Sequence, residues 1–100
     1  MYANVSNELR KIIYRREGYR CALCDDTQYL QIHHYIHRGQ GGPNHPHNLI
    51  CLCHRCHAIA HGQWVMDVGQ PSVEDMELAI VEYLSDMYPG EWNPYNRSVD

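Results

Sequence analysis

The sequence predicts an α+β fold: a small strand-strand-helix unit, pinned by four cysteines and flanked by one helix on each side. Three observations predict it. Two Cys-x-x-Cys pairs, Cys21/Cys24 and Cys53/Cys56, bracket the middle of the chain. Two short apolar stretches lie between the pairs, separated by a loop dense in glycine and proline, as paired strands would be. Outside the pairs, apolar residues recur at helical spacing before residue 18 and after residue 72. The 100 residues read as a single domain, of a size whose core gains from a structural metal.

From the N-terminus, Ser6 to about Glu17 is expected to be a helix. Ser6 can cap it, Leu9, Ile12 and Ile13 form its apolar stripe, and Gly18 can end it. Its polar face is basic, so Arg10, Lys11, Arg15 and Arg16 are candidates for a phosphate backbone. A tight knuckle follows at Cys21–Cys24. Leu30 and Ile32 then alternate with Gln31 and His33, the pattern of a strand with one buried face. From Tyr35 to Asn48 the breakers Gly39, Gly41, Gly42, Pro43 and Pro46 exclude a regular element, and a loop this long in a small domain is usually functional. Leu49–Leu52 can pair back to the first strand. His54 to His61 suits a helix ended by Gly62. Ser72 caps a final helix reaching about residue 88, with Val73, Met76, Ile80, Tyr83, Leu84 and Met87 as its stripe and Pro89-Gly90 as its stop. Trp92 and Pro94 lie in an irregular tail.

Charge divides the chain. Residues 1–62 carry seven Lys/Arg against four acids, and the remainder carries Arg97 against eight acids, within a net charge of −4. A basic working half is compatible with DNA as partner, whereas the acidic tail is not expected to lie along it. The apolar stripe of the acidic final helix is expected chiefly to pack on its own domain, and it is also the best candidate contact for a protein partner or a second copy of the chain, through Ile80 and Leu84. There is no apolar run long enough for a bilayer and no basic-then-apolar leader, so the expectation is a soluble cytoplasmic protein without membrane contact.

In such a reducing compartment two Cys-x-x-Cys pairs point to zinc rather than to disulfides. Cys21, Cys24, Cys53 and Cys56 would close a tetrahedron of thiolates, which leaves no open position and makes the ion structural. Cys51 breaks the spacing and is expected to pack as a small apolar residue.

His57 and His61 are four apart, so on a helix they share a face and can hold one ion together. Cys56 and His57 point about 100° apart around the axis, so one helix can serve two metals without mixing them. His33 and His34 are neighbours on a strand and project to opposite sides, which requires different jobs. Asn48, just before the second strand, can bond across the loop to backbone groups.

The pattern His33-His34, Asn48 and His57 resembles the HNH endonuclease family (ββα-metal nucleases), and the flanking Cys-x-x-Cys pairs resemble its zinc-containing branch. The resemblance spans Tyr19 to Gly62. It implies that His33, with His57 and His61, binds a catalytic divalent cation (Mg²⁺, Mn²⁺, Ni²⁺ or Zn²⁺), that His34 is the general base, and that Asn48 supports the loop behind it. It further implies hydrolysis of DNA phosphodiester bonds in a bacterial or phage-infected cell. Arg38, which follows the histidine pair closely, is a candidate substrate contact, as are Arg55 and Arg20, with a solvent-exposed arginine as the competing reading of each. The alternative is a zinc-stabilised module that binds nucleic acid or protein without turnover. His37 stands where many relatives have proline.

Overall fold

The computed structural model describes residues 5–98. The first helix, α1, spans Asn7–Arg16, with the Ser6 hydroxyl accepting the Leu9 N–H at 3.1 Å. Gly18 takes a positive φ of 71° beyond its end, a conformation that glycine adopts without steric cost. Strands β1 (Gln31–His34) and β2 (Leu49–Leu52) pair antiparallel, with His33 opposite Ile50 and His34 opposite Leu49. Helices α2 (His54–Ala60) and α3 (Val73–Met87) complete the fold.

The register explains where each side chain goes, because directly opposed residues share a face of the sheet. Gln31 and His33 share theirs with Leu52 and Ile50, and that face packs on α2 and α3 through Ile59, Met76, Ile80 and Leu84. Ile32 and His34 share theirs with Cys51 and Leu49, which pack with Ile13 of α1. Helices therefore cover β2 on both sides, so all four of its residues are buried. An uninterrupted Leu-Ile-Cys-Leu run is what such a strand requires.

Several expectations are corrected here. β1 does not bury the Leu30/Ile32 side alone: both residues are half-buried, and His33 on the opposite face is the most enclosed residue of the strand. Ile12 lies outside the core, on the exposed side of α1. The loop contains one 3₁₀ turn, Arg38–Gln40. Arg16 is withdrawn from any phosphate-binding face. Its guanidinium pairs with Glu17 (2.6 Å) and donates to the carbonyls of Pro46 (2.7 Å) and Leu49 (2.6 Å) and to the Tyr88 hydroxyl (3.0 Å). Glu17 in turn accepts from the Cys51 N–H (3.1 Å) and the Tyr83 hydroxyl (3.3 Å). This buried pair ties α1, β2 and α3 together, with most of its hydrogen-bonding capacity used, as a buried ion pair requires.

Helix α3 starts with a capping box between Ser72 and Asp75 and buries Met76, Ile80 and Leu84 in the chain's own core. The stripe therefore packs on the chain's own domain, as its main expectation had it, and Ile80 and Leu84 are not available as the alternative contact for a partner or a second copy. The tail folds back: the Trp92 indole N–H donates to the His47 carbonyl at 2.7 Å, and its ring lies 5.8 Å from that of Tyr35. No helix among the described residues is long and apolar enough to cross a membrane.

Candidate active site

Two clusters of metal-ligating side chains flank α2. In the first, the sulfurs of Cys21, Cys24, Cys53 and Cys56 all lie within 4.8 Å of one another. Local chain geometry builds it. Left-handed residues Tyr19 and Asp25 (φ 58° and 66°) fold the first pair into a knuckle, and the Ala22 N–H donates to the Cys51 carbonyl at 2.9 Å to dock it on β2. Cys53 is the N-cap of α2, its sulfur accepting the Cys56 N–H at 3.4 Å. A hydrogen bond from Cys56 holds the Cys21 thiol down at about 4, while burial lifts Cys24 to about 11. Four sulfurs this close cannot all ionise beside one another without a cation, and four thiolates in a tetrahedron are the donor set of a closed zinc site. Cys51 stays out of the cluster: it is buried in β2, and burial pushes its thiol up to about 12.

In the second cluster, one ring nitrogen each from His33, His57 and His61 lies within 4.8 Å of the others. His33 reaches α2 because its face of β1 packs there, and His57 and His61 stand one turn apart. Their Nε2 atoms are 3.1 Å apart, close to the roughly 3.3 Å edge of a tetrahedron with 2.0–2.1 Å metal–nitrogen bonds. The ring centroids are 5.2 Å apart for His33–His57, 5.1 Å for His33–His61 and 4.6 Å for His57–His61. Two imidazoles on one such ion would place theirs roughly 5 Å apart. Burial, reinforced by the neighbouring His57 and His61, pushes His33 down to about 3, and burial with His61 and His54 pushes His57 to about 4. Burial lowers His61 as well, and His33 and His57 are neutral at neutral pH, the form that binds metal. His33 Nδ1 is buried without a hydrogen-bond partner, an arrangement that costs about 1–3 kcal/mol unless something satisfies the group. On these observations the residues fit a divalent ion.

One residue that sequence reasoning missed is Gln31. Its Oε1 bonds His57 Nδ1, and because a carbonyl oxygen only accepts, the proton sits on Nδ1 and the Nε2 lone pair faces His61. Two-residue periodicity puts Gln31 on the His33 face, but its partner lies 26 residues away and left no local signal.

His34 points to the other side of the sheet. Its Nε2–H donates to Asn44 Oδ1 at 2.7 Å, another partner not foreseen, and Nδ1 is left as the basic nitrogen. Burial lowers the His34 pKa, and the bond to Asn44 opposes that effect. Asn48 is fully buried. Its Oδ1 accepts the Ile36 N–H at 2.7 Å, its Nδ2 donates to the Ile36 and Pro43 carbonyls at 3.0 and 3.1 Å, and its carbonyl accepts the Tyr35 N–H at 2.9 Å. The residues directly after His34 are therefore clamped to the start of β2.

The candidate arginines part company. Arg38 is close enough to His34 to help lower its pKa. Arg55 forms an ion pair with Asp67, and Arg20 faces Asp25 at 4.0 Å beside the cysteine knuckle. His37, a weak signal in the sequence, has its ring 6.0 Å from that of His33 and 5.4 Å from that of His61.

The family model described as HNH endonuclease matches residues 21–63, from the first knuckle cysteine to two residues past His61. No curated protein and no solved structure matches the chain. Over residues 21–63 the chain is thus similar to HNH endonucleases, and the four clustered cysteines fit a zinc-containing variant of that family.

Proposed function

From this likeness to HNH endonucleases, we propose that the chain is a metal-dependent endonuclease hydrolysing DNA phosphodiester bonds by nicking or with low sequence specificity. The observation that carries the reading is the division of labour at β1. His33 joins His57 and His61 on one face, and His34, with one nitrogen held by Asn44, stands on the other. A pure binding module has no use for that division.

His33, His57 and His61 would hold a divalent ion, which when bound supplies positive charge to the scissile phosphate and the leaving oxygen. His34 Nδ1 accepts the proton of the attacking water. Its lowered pKa keeps it neutral and ready at neutral pH, and Asn44 steadies the imidazolium that results. Asn48 holds the loop so that His34 and Arg38 keep their places, and Arg38 supplies a cation for a substrate phosphate. Zinc on Cys21, Cys24, Cys53 and Cys56 braces the start of α2, from which His57 projects.

The test is plasmid nicking by protein that keeps its cysteine-bound zinc, with the histidine site stripped and then resupplied with Mg²⁺, Mn²⁺ or Ni²⁺. Cleavage should return with at least one ion and fall by about 10²–10⁴-fold in His34→Ala. Full activity in that variant would remove His34 as the base. A folded protein that binds DNA and cuts with no ion would instead be the zinc-stabilised binding module.

A further inference from the structure

We infer that the cavity between the loop after His34 and the C-terminal tail is a subsite for one unpaired nucleobase, so that the strand to be cut is presented single-stranded or with a base turned out of the duplex. The inference rests on the nuclease reading above and names the form of its substrate. The cavity measures about 700 Å³, within the range of pockets that enclose small organic groups. Tyr35, His37 and Gln40 line it from the loop, Glu77 from α3, and Trp92 and Tyr95 from the tail. His37 joins it to the histidine cluster, with its ring 5.4 Å from that of His61 and 6.0 Å from that of His33. A phosphate at the cluster and a base in the cavity would have one imidazole between them.

Both walls are held in place by the chain itself. On the loop side, Asn48 grips the N–H and the carbonyl of Ile36, and the His37 carbonyl accepts from the N–H groups of Gln40 (2.9 Å) and Gly42 (3.0 Å). Gly42 packs so closely that a Cβ there would meet the Ile36 carbonyl oxygen at 1.7 Å. On the tail side, the Trp92 indole is fixed to the His47 carbonyl, the Asn93 N–H donates to His47 Nδ1 at 3.1 Å, and Asn93 Oδ1 accepts the Tyr95 N–H at 3.0 Å. Arg97 ties the tail to the Gly41 carbonyl. A wall anchored in this way is preorganised, and a preorganised site loses little freedom when it binds.

The chemistry of the lining selects a base. Trp92 is half-buried with its ring against Tyr35, and Tyr95 beyond it is 60% exposed. A fixed ring beside an open one is a stacking surface, and stacking accepts any base because each has a π-face. Phosphate is disfavoured: no Lys or Arg lines the cavity, and Glu77 brings a carboxylate. That carboxylate only accepts hydrogen bonds, and every nucleobase has an N–H to donate. Bases inside a duplex are already stacked and paired, so one enters a pocket only from a single strand or after flipping out. The acidic C-terminal half then meets neutral bases and leaves the backbone to the basic half.

The test is fluorescence titration of protein with its cysteine zinc in place and its histidine site stripped of metal, so that no cleavage intervenes. Trp64 is exposed, and Trp64→Phe leaves Trp92 as the single tryptophan. A short oligothymidylate should quench Trp92, whereas an abasic strand of equal length and a blunt duplex should not. Tyr95→Ala in that background should weaken oligothymidylate binding about 5–150-fold, Tyr95→Phe should restore it, and duplex binding should be unchanged in both. If the abasic strand or the duplex quenches Trp92 as strongly, or Tyr95→Ala binds oligothymidylate as tightly as its parent, the cavity is not a base subsite. The nuclease reading survives that result, because plasmid nicking tests it separately. Base-dependent quenching in a protein that nicks nothing would keep the subsite and remove the cut.

Discussion

The two ligand clusters share helix α2 and differ in what surrounds them. The cysteine cluster draws on the helix N-cap and first turn, has three of its four members buried, and offers four soft donors. The histidine cluster draws on the next turn and on β1, runs from buried His33 to exposed His61, and offers three. Donor count and exposure divide the work. A closed set can only hold the fold, while a set with an exposed rim can admit water and phosphate. Adjacent residues Cys56 and His57 join different clusters because a helix turns them to different sides.

The largest expected effect tests whether the cysteine cluster alone carries the fold. Structural zinc sites contribute about 10–16 kcal/mol of apparent binding energy, comparable with or above the whole stability of a small domain. Cys53→Ser should therefore unfold the chain by circular dichroism, whereas His57→Ala should stay folded. A metal-free Cys53→Ser protein with a sharp thermal transition would break the comparison.

Asn48→Ala asks whether the open site is also built into the fold. It leaves the Ile36 N–H and two carbonyls without their partner, an expected loss of roughly 3–5 kcal/mol in urea denaturation. A loss below about 1 kcal/mol would mean that water replaces the amide and that the loop is not clamped by it.

Gln31→Leu sharpens the contrast further, since it should touch only the histidine site. Without an acceptor for its Nδ1–H, His57 is free to change tautomer, and metal affinity there should fall about 10–100-fold. Gln31→Glu, which keeps the acceptor, should retain affinity. Zinc at the cysteines should be unaffected in both, and equal losses at the two sites would merge what the structure separates.

The smallest effect is proton-linked. His33 is held down at about 3, so as pH falls below the ordinary histidine value the unfolded chain takes up the proton first. Its contribution to stability is intact above about pH 6.5 and is lost as pH drops toward the folded value, by up to about 1.4 kcal/mol per unit. With the histidine site free of metal, His33→Asn should show a shallower loss of stability between pH 6.5 and 5 than the wild type. Equal slopes would place the sensitivity elsewhere, and the shared acid response of the cysteine site cancels in the difference.

What the sequence determined by itself is what the local chain encodes. Serine caps, glycine stops and Cys-x-x-Cys spacing each act over a few residues, and they placed the helices, the strands and the four cysteines. The i, i+4 spacing brought His57 and His61 to one side of α2, and strand alternation separated His33 from His34, before any packing was known. Tertiary structure alone decided the pairings between distant segments. Arg16 left the basic face for a buried pair with Glu17, Pro46 and Leu49 because α1 packs on β2. Gln31 met His57 because the register turned it toward α2. Asn44 reached His34, and His37 came beside His61, because Asn48 and Gly42 fold the loop back on itself. Such contacts follow from how faces are buried together, and a short stretch of sequence carries the period of a face but not the identity of what will cover it.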